Sequence, residues 1–359
     1  MPILASVGTA LPPYEFKQEE TKEFARRIFN NTFKDLERLL KVFQSAEIEK
    51  RYFCKPLSWF EQHHSWEEKN ALFIENALCL GTKAITSCLR KVKMLPSDID
   101  IIIFVTSTGI ATPSIDAYLY NLLAMKPDVI RIPLWGLGCA GGVSGIARAR
   151  ELALAYPESK ILVCCVELAG FSFILNDRSK ANLIATSLFA DGAGAALIIG
   201  DKVKEDSFTV ENEENRLPRI LDSQSYIWSD SLDVMGWNVQ NEGLMVIFSR
   251  DIPSLVTHSV KSQVENLIQG HQLTLEDISR YITHPGGMKV LKAYESALNL
   301  KPDALTLAKD VLRNHGNMSS GTILYILEKE LNKTHNPGEY GIMLALGPGF
   351  SCEQVLLQW

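Results

Sequence analysis

The sequence has no C-x-x-C pair, no surplus of basic residues, no basic leader and no apolar run of membrane length. Each absence removes a class of protein. The seven cysteines (Cys54, Cys79, Cys88, Cys139, Cys164, Cys165 and Cys352) are odd in number and lie mostly in apolar segments, which suits reduced thiols better than a disulfide framework or structural zinc. With 36 Lys and Arg against 42 Asp and Glu the net charge is −6, so nucleic acid is not an expected partner, and any anionic ligand must meet a local cationic patch. The start, MPILASVGTALPPYEF, has no basic n-region and reaches Pro12 and Pro13 too early for a secretory signal. No membrane span and a cytoplasmic home are the expectations. A dinucleotide fingerprint is lacking too: Gly136, Gly138 and Gly141 have the G-x-G-x-x-G spacing without the acidic partner and first-strand context that give it meaning.

What is present is a chain of 359 residues, 46% hydrophobic, enough for two ordinary domains or one duplicated unit. Residues 17–44 carry Phe24, Ile28, Phe33, Leu36, Leu39, Leu40 and Phe43 at roughly helical spacing among charges, and a second helix is expected over 67–92. SDIDIIIFVTSTG reads as a buried strand running into a turn, 144–156 as a helix and 160–168, KILVCCVEL, as another buried strand. This predicts a partly parallel sheet with helical crossovers. The polar segment 201–219 reads as a connection, and beyond it the pattern partly repeats. SDIDIIIFVTSTG is echoed by EDISRYITHPGG, and ADGAGAALIIG by YGIMLALGPGF, which favours one duplicated fold divided into 1–206 and 207–359, the second unit shorter.

Three residues stand out chemically. Cys139, in GLGCAGG, follows an expected strand and precedes an expected helix, where unpaired N–H groups would stabilise a thiolate and lower its pKa; the bland reading is a packed cysteine in a tight turn. His284, in YITHPGG, closes an expected strand, whereas His63 and His64 lie in a polar segment and read as surface. Asn317, in NHGNMSSG, precedes the helical run TILYILEKEL and by itself reads as an N-cap. Together they form a nucleophile, a base and an amide donor drawn from separate segments.

GLGCAGG, SLFADGAGAALI, THPGG, HGNMSSG and LGPGF, in that order along almost the whole chain, resemble the chalcone synthase family, the type III polyketide synthases of the thiolase superfamily. VTSTGIATPS, RIPLWGLGCAGG and SKANLIATSLFADG are similar to the bacterial branch that makes alkylpyrones from fatty acyl-CoA. The resemblance implies an α/β, five-layered αβαβα fold built by duplication, a homodimer, a catalytic triad of Cys139, His284 and Asn317, and fatty acyl-CoA and malonyl-CoA as substrates, with no metal or redox cofactor. It implies CoA contacts from Arg38, Lys41 and Ser319, with Ser45 at a third position that is basic in the family. It places Phe189, Ala169, Ser172, Val246, Thr112, Gly347, Pro348 and Gly349 at the substrate. Val246 replaces one of two gating phenylalanines of the plant enzymes, and Ala169 and Ser172 are small wall residues, which predicts a mouth and wall suited to a long alkyl starter. An initiating ketoacyl-ACP synthase, a cysteine hydrolase and a non-catalytic acyl-binding protein are the alternative readings.

Overall fold

A computed structural model describes the chain except for residues 31, 205–207 and 210–215. The proposed boundary at 206/207 lies outside the described residues. Thirteen strands are numbered in chain order: β1 (Ile3–Ala10), β2 (Tyr14–Lys17), β3 (Lys50–Phe53), β4 (Ile101–Thr106), β5 (Ile130–Trp135), β6 (Lys160–Leu168), β7 (Asp191–Ile199), β8 (Arg219–Ile227), β9 (Met235–Gln240), β10 (Gly243–Phe248), β11 (Ile278–Thr283), β12 (Tyr340–Gly347) and β13 (Ser351–Gln358). The helices are α1 (Gln18–Ile28), α2 (Leu36–Ser45), α3 (Leu57–Phe60), α4 (Trp66–Arg90), α5 (Ile115–Leu122), α6 (Gly141–Ala155), α7 (Lys180–Leu188), α8 (Ile252–Gln269), α9 (Met288–Ala297), α10 (Thr306–His315) and α11 (Thr322–Leu331).

The large sheet runs β11-β12-β13-β8-β1-β7-β6-β4-β5. Its halves repeat one wiring. In the first, β4 is parallel to β6, which is antiparallel to β7, which is antiparallel to β1; in the second, β11, β12, β13 and β8 repeat those relations. Within the large sheet the halves meet at β1 and β8, through the pairing Ile3↔Arg219. β5 has no counterpart among the described residues. The duplicated thiolase-like architecture is therefore present in the strand order itself.

Continuous apolar sequence makes the central strands. Every residue of β4 is buried, and β6 is buried from Ile161 to Leu168, as expected of strands covered on both faces. α4 starts at Ser65, whose Oγ accepts from Glu68 N at 3.1 Å, with Glu67 and Glu68 in the positive first turn. By length and composition it could cross a membrane, yet Phe73, Ala77, Leu80, Ile85 and Leu89 bury its apolar stripe against β1, β6 and β7. Burying each larger side chain contributes roughly 1.5–3 kcal/mol. α6 and α11 form the layer between the half-sheets, and α8 and α9 cover the far side of the second. α6 starts three residues before the expected 144, and α1, α2, α4 and β6 fall close to their expected ranges.

Candidate active site

Cys139 lies in a single 3-10 turn, Gly138–Ala140, joined directly to α6. Gly138 has φ +47, and a Cβ there would sit 2.7 Å from Pro348 Cδ; a Cβ at Gly347 would lie 2.4 Å from Leu137 O. The Gly-Pro-Gly turn after β12 thus packs directly on the cysteine turn, and the missing side chains are what let the two backbones touch. Gly349 also has positive φ, +133, and lines no part of the cysteine's cavity.

The three sequence-selected residues come from three such turns. His284 follows β11 with its N donating to Leu344 O at 2.8 Å, and it is buried with no hydrogen-bond partner on either ring nitrogen. Asn317 follows α10 through Gly316, pairs with Phe189 in an isolated bridge and accepts at Oδ1 from Ser319 N at 2.8 Å. That bond fixes which way the amide points. Nδ2 donates only weakly, to Gly286 O at 3.5 Å, while the Cys139 thiol approaches Oδ1 at 4.0 Å. Asn317 is not an N-cap, since α11 begins at Thr322 after a separate 3-10 turn, Ser319–Gly321.

The electrostatics correct one expectation. Burial pushes the Cys139 thiol up to about 12, against weaker help from Ser319 and Asn317, and the nearby Glu167 charge adds to the rise. Burial also lowers His284 to about 3. Burial thus favours a neutral thiol at Cys139 and a neutral imidazole at His284 in the resting site. A buried imidazole with both nitrogens unpaired is costly unless a ligand supplies the partners.

A cavity of about 430 Å³ opens on the sulfur, lined by Cys139, Ser107, Ser319, Pro348, Ala169, Phe189, Trp237 and Val246 among others. The last four also line a second cavity of about 560 Å³, mouth included, walled by Phe24, Phe53, Leu57, Phe60 and Phe173. Ser172 lies in this second wall, its Oγ buried and unpaired. Thr112 lies elsewhere, exposed on the loop before α5 and lining neither cavity, because its side chain sits on the outer surface. Arg38 and Lys41 are exposed on α2, with Arg38 3.4 Å from Asp35. Ser319 does not join them: it is buried in the cysteine chamber. Nor is His64 surface, since it stacks on Trp59 at 3.8 Å.

Sequence reasoning missed Trp237, Ser107 and Glu167. Glu167 is fully buried and accepts from Ser107 N at 3.0 Å, Thr108 Oγ1 at 2.9 Å and Ser320 Oγ at 2.6 Å, tying the chamber wall to the turn after Asn317. A lone carboxylate in the apolar strand KILVCCVEL was the available signal.

The comparisons with known proteins agree with this geometry. Residues 2–202 match the family model for the N-terminal domain of chalcone and stilbene synthases, and 220–359 the model for the C-terminal domain. A putative chalcone synthase of Bacillus subtilis (strain 168) is 44% identical, covering 100% of this chain and 99% of its own. A 1,3,6,8-tetrahydroxynaphthalene synthase of Streptomyces peucetius subsp. caesius is 32% identical over 99% of this chain and 93% of its own. Among solved structures, CsyB complexed with CoA-SH superposes with TM-score 0.91 at 25% identity, covering 100% of both chains. With the duplicated sheet, the buried cysteine chamber and both halves of the family's sequence pattern in place, the chain belongs to the chalcone and stilbene synthases, the type III polyketide synthases.

Proposed function

We propose that this condensing enzyme loads a long-chain fatty acyl-CoA onto Cys139, extends it with malonyl-CoA and closes the product to a triketide or tetraketide alkylpyrone. Working on CoA thioesters belongs to the family; the starter and product are our reading. The observation that carries it is the continuity of the cysteine chamber with the aromatic-walled cavity through Ala169, Phe189, Trp237 and Val246. An alkyl chain fits such a wall because each buried methylene contributes about 0.8 kcal/mol without demanding a shape.

The chemistry follows from the neutral pair. As the Cys139 sulfur attacks the starter thioester carbonyl, its proton passes to His284; the imidazolium returns it to the departing CoA thiolate, leaving the acyl group on sulfur. Malonyl-CoA then enters and loses CO₂. The enolate oxygen takes the unpaired His284 N–H and Asn317 Nδ2, whose amide Ser319 N has already oriented. The enolate carbon attacks the acyl-cysteine and the sulfur leaves as thiolate, regaining its proton from solvent; the lengthened chain, on CoA, returns to Cys139 by the same thioester exchange for each further round. After a second or third round, an enol oxygen of the chain attacks its own thioester and expels CoA, giving the pyrone.

The division into halves at 206/207, a cytoplasmic home for the seven free cysteines and a homodimer complete the proposal. β5 supports the dimer: it is the sheet edge, with Ile130 44% and Trp135 49% exposed, beside exposed Tyr118 and Leu122 on α5. The experiment is mass spectrometry after incubation with palmitoyl-CoA, with and without malonyl-CoA. Pyrone masses that need both substrates support the reading, and free palmitate released without malonyl-CoA would mean hydrolysis instead. Cys139→Ala is expected to abolish pyrone yet retain malonyl-CoA decarboxylation, because the donors for the enolate remain; condensation by that variant would remove Cys139 from its role.

A further inference from the structure

Beside the aromatic-walled cavity lies a pocket of about 340 Å³ of mixed lining, with Lys69 and Glu242 on its charged side. Phe60 and Phe173 line both, their rings edge to face at 6.3 Å. Lys69, in the first turn of α4, lines the polar side and is 4% exposed. Its Nζ donates to Phe173 O at 3.1 Å, and it makes no ion pair among the described residues. Burial lowers this ammonium to about 8, and the opposing charge is that of Glu242, which lines the same pocket from the exposed β9–β10 turn. A buried cation hydrogen-bonded to one carbonyl, with the pocket's carboxylate exposed to solvent and making no ion pair with it, is an arrangement that a desolvated anion can improve. His64 does not compete for that role, because Glu68 and the Trp59 carbonyl occupy its two ring nitrogens.

We propose that Lys69 is an anion subsite beyond the tail cavity, which lets the enzyme take starters bearing a carboxylate at the far end of the chain, the mono-CoA thioesters of α,ω-dicarboxylic acids. The proposal rests on the reading of that cavity as the alkyl site. A terminal carboxylate cannot remain desolvated among aromatic rings and must reach a cation; Arg51, which also lines the tail cavity, already donates from Nη1 to Phe189 O and from Nη2 to Thr21 Oγ1, and Lys69 is the cation at the Phe60–Phe173 end. Phe60 and Phe173 are the wall the two pockets share, and the lysine on its far side is the one bonded to Phe173's own carbonyl. Because Lys69 is fixed on a long core helix, one chain length places the carboxylate at the ammonium, while methyl-ended starters have no such fixed point.

The test compares kcat/KM for mono-CoA thioesters from octanedioyl to octadecanedioyl with the matching fatty acyl-CoA series, in the wild type, Lys69→Met and Lys69→Arg. The wild type should show a sharp optimum of length for the diacid series. Lys69→Met should lower that optimum by about ten-fold or more, the size of a lost charge-assisted hydrogen bond, with palmitoyl-CoA unchanged and Lys69→Arg partly restoring it. A diacid series treated alike by the wild type and Lys69→Met overturns the proposal, as does a wild type that extends palmitoyl-CoA and no diacid. Calorimetric binding of the same thioesters to the Cys139→Ala chain separates this from the parent reading. Weaker diacid binding on adding Lys69→Met supports the subsite even where no starter is extended, and equal binding overturns it.

Discussion

Val246 stands directly across from Trp237 in the β9–β10 hairpin, and the Trp237 ring lies 6.1 Å from that of Phe189. The small residue that predicted a wide mouth is thus faced by the largest side chain available. Both line the two cavities, so the indole narrows the junction that Val246 alone would leave wide. Removing the indole should widen it. Trp237→Ala is expected to admit bulkier starters and to shift the product masses, read by mass spectrometry, toward additional malonyl units. As Trp237 is only half-buried, the stability cost should fall below the roughly 3–5 kcal/mol of a fully buried Trp→Ala change. An unchanged product distribution would mean that the hairpin is only a wall.

This pair also marks the limit of what the sequence makes legible. Continuous β-branched runs such as Ile101–Thr106 and small-residue turns around Cys139, His284 and Asn317 are local patterns, and the structure places them where those patterns predict. Trp237 is different. Its importance comes from register across a hairpin and from meeting Phe189, distant in sequence, so nothing in its own neighbourhood reveals it. The charge state of Cys139 was misread for a related reason: a helix start is visible in the letters, whereas the depth of burial is a sum over the whole fold. Ser319 shows the same lesson: the resemblance implies a CoA contact alongside Arg38 and Lys41, while the turn carries it into the chamber.

CoA recognition is expected to depend on surface charge. Arg38 and Lys41 are exposed, and the third position is Ser45, whose hydroxyl is bonded back to Val42 O. Only two cations are therefore available on α2 for the phosphates. Replacing both with Ala should raise KM for malonyl-CoA several-fold, about 1 kcal/mol in all, with kcat little changed. The difference should shrink as salt is added. Equal KM values at low ionic strength would show that this helix face is merely solvated.

Acid stability should report the buried imidazole. His284 falls to about 3 in the folded chain, against an ordinary value near 6.5, so below about pH 6.5 the unfolded state binds a proton that the native state refuses. Stability then declines as pH falls from about 6.5 toward 3, with a slope of up to about 1.4 kcal/mol per pH unit from this group. His284→Phe removes that contribution. Denaturant midpoints should therefore show the variant gaining stability relative to the wild type between pH 7 and pH 5, whichever is the more stable at pH 7. Parallel curves over that range would mean that His284 is already protonated or solvated in the native chain.

Ala169 tests the route of the alkyl tail. It follows β6 directly, is 6% exposed and lines both the cysteine chamber and the aromatic-walled cavity, so any chain passing from one to the other runs beside its Cβ. Its neighbour Gly170 donates to Asp191 Oδ1 at 2.7 Å, and Cys54 N donates to the other oxygen at 2.9 Å, which pins this backbone and leaves little freedom to retreat. In Ala169→Phe the added ring must therefore occupy the passage itself. Overpacking of this kind costs roughly 1–3 kcal/mol, and here a long tail must compete for the same volume. Activity with palmitoyl-CoA should fall by an order of magnitude or more, while hexanoyl-CoA, whose tail is too short to need the far cavity, should lose much less; that ratio is set by kcat/KM measured on the two starters side by side. Equal losses would show that the long tail takes another path from Cys139, and no loss with either would remove Ala169 from the substrate's way.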